Sequence, residues 1–185
     1  MYLEKKTGRT TGWIGYTLAW SWRNFQPQRG TNGINNGEDF HPSYDRRHNL
    51  TVVVLHQLNA RVSLTASFVY SSGSLTTLPL GRFGVQDIPG SSTGIDPRPV
   101  PVYPARNSYQ LIPDHRLDLG AVYKIGSRRN QDLTLSIYNA YNRRNAYFVF
   151  FETVRDKVTD RTMGFRAQQV SLFPVIPSLT YNFRF

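Results

Sequence analysis

The chain has 185 residues, 39% of them hydrophobic, and 22 Lys and Arg against 12 Asp and Glu give it a formal net charge of +10. No run of about 18 apolar residues is present, which excludes a transmembrane helix but not a membrane barrel, whose strands are only half apolar. With no cysteine there is no disulfide framework, thiolate nucleophile or cysteine zinc site, and the scattered basic residues lack the recognition helix or aromatic motif that nucleic-acid binding uses.

The first ten residues, MYLEKKTGRT, lack the apolar segment of a signal peptide. Tyr2 and Leu3 read as the end of a strand and Lys5 to Thr10 as a polar turn. From Trp13 to Arg23 large residues (Ile14, Tyr16, Leu18, Trp20, Trp22) alternate with small or polar ones (Gly15, Thr17, Ala19, Ser21), which predicts a strand with one greasy face. A Gly/Asn/Pro-rich connection runs from Asn24 to Tyr44. Asp45 to His56 and Arg61 to Ser71 then predict an antiparallel hairpin around a tight turn at Gln57 to Ala60. Ser72 to Pro113 is a connection too long for a compact soluble domain unless it has a job. His115 to Ile125 predicts a fourth strand and Leu133 onward a fifth, with Ala146 to Val154 as its continuation beyond the bilayer. That continuation turns at Arg155 to Gly164 and returns through Phe165 to the last strand. In Ser178 to Phe185 (SLTYNFRF) Leu179, Tyr181, Phe183 and Phe185 alternate strictly with polar residues.

The expected architecture is therefore all-β: an antiparallel up-and-down meander of about six strands. Short turns (5–10, 57–60, 126–132) alternate with long connections (24–44, 72–113, 155–164), as in outer-membrane barrels, whose strands need about 9–11 residues to cross. Arg, Asp, Asn and Lys on the polar rows suit a wet lumen better than a dry core. An alternative is a soluble sandwich whose aromatic face packs internally. Ile14, Leu64 and Leu119 decide between them, because a membrane barrel requires these side chains to stay unshielded by protein. Six strands are too few to close a barrel, and open edges in lipid leave backbone groups unpaired. Residues 1–185 are thus expected to be the carboxy-terminal part of one transmembrane β-barrel domain.

Six ordered stretches carry a family resemblance: GWIGYTLAWS (12–21), YDRRHNL (44–50), YSSGSLTTLP (70–79), RNSYQLIPDHRLDL (106–119), LSIYNAYNRRNAY (135–147) and SLFPVIPSLTYNFRF (171–185). Together they resemble the carboxy-terminal barrel of Bacteroidota-type TonB-dependent outer-membrane receptors. The resemblance implies a 22-stranded barrel in the cell outer membrane, closed by an amino-terminal plug that this sequence lacks. It further implies energised uptake of a scarce nutrient, such as a siderophore or glycan, with TonB acting through the plug. The final aromatic strand, with Tyr181, Phe183 and Phe185, resembles the assembly signal read by the barrel-insertion machinery. Implied partners are outer-membrane lipid and the receptor's upstream strands, with no nucleic acid.

Two charged clusters open strands at the expected external rim: Asp45, Arg46, Arg47 and His48, and then His115, Arg116 and Asp118 beside Asp114. They could touch a ligand or cation, or simply form a charge network across the wet rim. Trp13, Trp20, Trp22, Tyr70, Tyr123 and Tyr181 are expected to form aromatic girdles. No G-x-S-x-G elbow occurs, although His48 or His115 could face Ser71 across a strand pair, so no catalytic role is expected. No cofactor motif or metal-ligand spacing is present. Remaining function classes are a soluble all-β binding module and a small passive channel made of several copies.

Overall fold

In a computed structural model of the chain, the residues described are all except 28–29, 31, 84–99, 127–129, 158–161 and 184–185. The fold is all-β. In chain order the strands are β1 (Tyr2–Lys5), β2 (Thr10–Leu18), β3 (His48–Gln57), β4 (Val62–Ser71), β5 (Leu75–Thr76), β6 (Gly81–Phe83), β7 (Val100–Val102), β8 (Tyr109–Gln110), β9 (Asp114–Ile125), β10 (Gln131–Tyr138), β11 (Phe148–Arg155), β12 (Thr162–Val170) and β13 (Ile176–Phe183). Among the described residues no helix is long and apolar enough to cross a membrane, which leaves crossing by strands untouched.

The chain divides into two compact units. The first comprises Met1–Leu18, Arg47–Ser72 and Ile112–Phe185. Its seven-stranded sheet has the order β1-β2-β3-β4-β9-β10-β13, so each strand pairs with the next one of the sheet along the chain. All the pairings are antiparallel. β-branched and aromatic residues at every second position favour these long strands. The meander needs no crossover because consecutive strands reverse direction. β1 and β13 are its two edges.

The second unit, Ala19–Arg46 with Gly73–Leu111, is made of the two longest connections. Antiparallel bridges at Arg23 with Phe40 and Phe25 with Ile34 pin the first connection into a narrow loop. The second folds back on itself through β5 with β8 and β6 with β7. Asn107 joins the two, donating from Nδ2 to the His41 carbonyl at 2.7 Å and from its backbone N–H to Thr77 Oγ1 at 2.9 Å. Phe40 is the sole large hydrophobic side chain buried among the described residues. Its ring lies 6.0 Å from that of Phe25, and the Arg106 guanidinium sits 5.2 Å above it.

Several boundaries differ from those the sequence predicts. The first predicted strand ends at Leu18, not Arg23, because its pairing with β3 stops at Leu18 with His48. Beyond it the Ser21 N–H donates to Asp45 Oδ1 at 3.0 Å instead of joining the ladder. Trp20 and Trp22 therefore fall outside the sheet. Asp45 lies in a turn closed by its own N–H on the Pro42 carbonyl, and β3 begins at His48. The fifth strand does not continue into 146–154. It stops at Tyr138, where Asn139 takes a left-handed φ of 54°, and β11 pairs only with β12 in a separate two-stranded sheet. The return into β13 is interrupted at Phe173, also left-handed at φ 57°.

Close approach inside the sheet gives one test. Gly120 lies across from Thr65 in the ladder, and a methyl there would overlap the Thr65 hydroxyl. Overpacking outweighs the entropy gained by replacing glycine, so Gly120→Ala is expected to lose about 1 kcal/mol. Thr65→Ala in the same chain should restore it. A urea midpoint unmoved by Gly120→Ala alone would refute the packing argument.

Candidate functional site

The register turns alternation along each strand into rows across the sheet. On one face Ile14, Val52, Phe68 and Leu117 align, then Val54, Ala66, Leu119, Ile137 and Pro177. The next row is His56, Leu64, Ala121, Leu135 and Leu179. This aliphatic band is bordered at the long-connection end by Tyr16, Leu50, Tyr70 and His115, and at the short-turn end by Val62, Tyr123, Leu133 and Tyr181. Along β4 the two borders are about 26 Å apart at ~3.3 Å per residue.

The opposite face carries mostly polar rows: Thr65, Gly120, Ser136 and Ser178, then Lys124, Asp132 and Asn182. Asn182 Nδ2 donates to Asp132 Oδ2 at 2.8 Å. Trp13 also belongs to this face, across from Val53, so it is not part of an aromatic border on the apolar side.

Among the described residues of the first unit, no second layer covers the apolar rows. Ile14, Leu64 and Leu119 are 39%, 41% and 41% exposed, and Leu179 is 66% exposed. A Leu or Ile left in water forgoes roughly 1.5–3 kcal/mol of transfer energy. A contiguous patch of this kind on a folded protein marks a surface made for another apolar medium or partner. The side chains on which the sequence alternatives turned are thus not shielded together in an interior.

The expected rim residues are divided between the two units. Asp45 and Arg46 belong to the second unit, whereas Arg47, His48, His115, Arg116 and Asp118 belong to the first. Asp45 is buried, with Oδ2 2.9 Å from His41 Nδ1, and that same nitrogen lies 2.8 Å from the Ser21 carbonyl. A ring N–H directed at the carbonyl leaves Asp45 Oδ2 without a well-aligned donor. Nearby, Arg23 Nε donates to the Tyr44 hydroxyl at 3.1 Å. In the first unit Arg47 is exposed, and His48 Nδ1 lies 2.7 Å from the Tyr16 hydroxyl.

His115 and Arg116 are neighbours in sequence but point to opposite faces, as period two requires. On the apolar side His115 Nδ1 is 2.7 Å from the Tyr141 hydroxyl, and Asn145 clamps the His115 backbone with Oδ1 on its N–H and Nδ2 on its carbonyl. Partial burial raises the Tyr141 phenol above its ordinary pKa, with the Arg143 charge pulling the other way. It therefore keeps its proton at neutral pH. On the polar side Arg116 Nε reaches both Asp118 oxygens at 2.9 Å, and its guanidinium lies over the Tyr138 ring at 4.1 Å, with Nη1 2.6 Å from the Tyr138 hydroxyl.

Sequence reasoning noted the interruption at Asn139 but not its role. Asn139 is 1% exposed. Its amide donates to the Arg143 and Phe173 carbonyls and accepts from the Arg143 N–H, while its own N–H reaches Asp118 Oδ1 at 2.9 Å. One side chain thereby ties the end of β10 to the segment entering β13. Two asparagines three apart, Asn139 and Asn142, both left-handed, are the available signal, because asparagine tolerates that conformation better than most residues.

Ser71 does not share a face with His48 or His115. The Ser71 hydroxyl donates to Asn49 Oδ1 at 2.7 Å on the polar face, whereas His48 and His115 share the apolar face. Among the described residues no three His, Asp or Glu side chains come together to hold a metal ion. Tyr181 and Phe183 lie exposed on edge strand β13, ring centroids 6.1 Å apart. Phe185 lies outside the described residues. Comparisons with protein-family models, curated proteins and solved structures gave no match.

Proposed function

We propose that the chain is part of the transmembrane barrel of an outer-membrane receptor that imports a scarce nutrient with energy delivered through TonB. The observation that carries this reading is the uncovered apolar face of the seven-stranded meander, aliphatic at its centre and bordered by Tyr and His rows, with polar rows behind it. Lipid satisfies such a face without a second protein layer, and a wet lumen satisfies the polar rows. The border spacing is compatible with it: about 26 Å along a strand tilted by roughly 40° gives an aliphatic band about 20 Å tall, to which the Tyr rows at its borders add.

In this reading β1 and β13 pair with further strands of the receptor, since an open edge in hydrocarbon leaves N–H and C=O groups unpaired. The plug would supply the TonB contact, and Tyr181, Phe183 and Phe185 the assembly signal. The chain does no chemistry itself; nutrient selection belongs to the connections and the plug.

Quenching by brominated lipid tests the medium on each face. With Trp13, Trp20 and Trp22 replaced by Phe, a tryptophan at Leu64 or Leu119 is expected to be strongly quenched in bilayers brominated at mid-chain, and one at Ser136 is not. Equal quenching on both faces would sink the barrel reading. The import half is tested by the reading frame upstream of residue 1, which should encode a plug; a start site there without one counts against it. A soluble module instead predicts detergent-free monomers, and a passive channel predicts heat-modifiable oligomers that conduct in planar bilayers.

A further inference from the structure

At the root of the β11–β12 hairpin lies a cavity of about 340 Å³ lined in part by Arg143, Arg144, Gln169, Ser171, Leu172 and Phe173. Its position follows from the Asn139 corner. Asn139 holds the Arg143 backbone on both sides, and Gln169 Nε2 on β12 donates to the Arg144 carbonyl and to Ser171 Oγ, each at 3.0 Å. None of these bonds engages the guanidinium group of Arg143 or Arg144. Arg143 Nε is withdrawn from solvent and has no acceptor among the described residues, while no acidic side chain lines the cavity.

A buried charged donor without an acceptor is rare in folded proteins because its desolvation goes uncompensated. Two adjacent arginines in a cavity lined by no acidic side chain form a local positive field, and the planar guanidinium presents paired N–H groups that match the spacing of oxyanion oxygens. The Ser171 hydroxyl accepts from Gln169 and keeps its own proton to donate. Leu172 and Phe173, both exposed, add an apolar wall.

We propose that this cavity is an oxyanion site. It takes a phosphate or carboxylate group between Arg143 and Arg144, with the apolar remainder of the ligand against Leu172 and Phe173. The anion can be borne by a lipid-like amphiphile or by a small free solute, and the chemistry recognised is the same. The site needs no membrane around it, so it stands or falls separately from the import reading.

The test uses the full 185-residue chain refolded in a maltoside detergent that contains no phosphate. Phenyl phosphate and inorganic phosphate stand for the free solute, and dodecyl phosphate mixed into the micelle stands for the amphiphile. Calorimetric titration is expected to show saturable binding of phenyl phosphate or dodecyl phosphate, tighter than inorganic phosphate; whichever binds better identifies the source. Arg143→Gln should weaken it at least tenfold and Arg144→Gln several-fold, while Arg9→Gln, the same charge change in the β1–β2 turn, leaves it unaltered. Arg143→Lys should lie between, keeping the charge but losing the planar fork. If Arg143→Gln fails to fold, the contrast of Arg144→Gln with Arg9→Gln decides. No saturable binding by any probe, or equal losses in the Arg9 and cavity variants, overturns the proposal.

Discussion

Leu119→Arg is expected to stop the chain from inserting into bilayers, while Ser67→Arg on the neighbouring strand is expected to insert normally. Leu119 stands in the middle row of the apolar face, two rows from Tyr123 on one side and from His115 on the other. An arginine at that depth on a lipid-facing strand costs ~2–4 kcal/mol, with much less penalty for one on the lumen side. Ser67 points the other way and lies across from Asp118, so a cation there gains a carboxylate neighbour. Flotation with liposomes and heat-modifiable migration measure the difference. The sign of the effect matters more than its size. If the apolar face met water, Leu119→Arg would raise solubility and leave folding intact, and that outcome would end the membrane reading.

The second large effect is expected at Asn139. Replacing it with Ala removes three side-chain hydrogen bonds at a fully buried position and puts an ordinary residue at a left-handed φ of 54°. Unsatisfied buried partners cost about 1–3 kcal/mol each, and left-handed backbone about 1–2 kcal/mol. Partial rewetting offsets some of this, leaving a loss of ~3–4 kcal/mol. Asn139→Gly keeps the backbone conformation and loses only the bonds, so it should be milder than Asn139→Ala by about 1 kcal/mol. Urea midpoints give the totals, and limited proteolysis between residues 142 and 175 shows whether the hairpin root has come loose. A midpoint shift below about 1 kcal/mol in Asn139→Ala would mean that the corner does not depend on this side chain.

These two positions also separate what was legible from what was not. Leu119 could be assigned to an apolar face from sequence because period two in a strand is a local property: Leu117, Leu119, Ala121 and Tyr123 declare their side without any knowledge of neighbours. The hairpins β1–β2, β3–β4 and β9–β10 followed, since the short turns between these strands allow only adjacent antiparallel pairing. Asn139 was visible as an interruption and nothing more. Its function rests on a bond to Phe173, 34 positions away, and no local pattern carries a contact of that range. The same limit misassigned Trp20 and Trp22, whose alternation continued past the point where β2 lost its partner, and Asp45, which lies in a turn ahead of β3 with Oδ1 on the Ser21 N–H.

Alternation and the placement of short and long connections were therefore determined by the sequence alone, because each depends on residues within one strand or turn. Tertiary structure decided where the strands stop, that β11 and β12 form a sheet of their own, that the two long connections fold into a separate unit, and that Arg143 and Arg144 share a cavity. Each of those outcomes depends on a hydrogen bond or packing contact between distant segments, whose free energy exists only once the chain has brought them together.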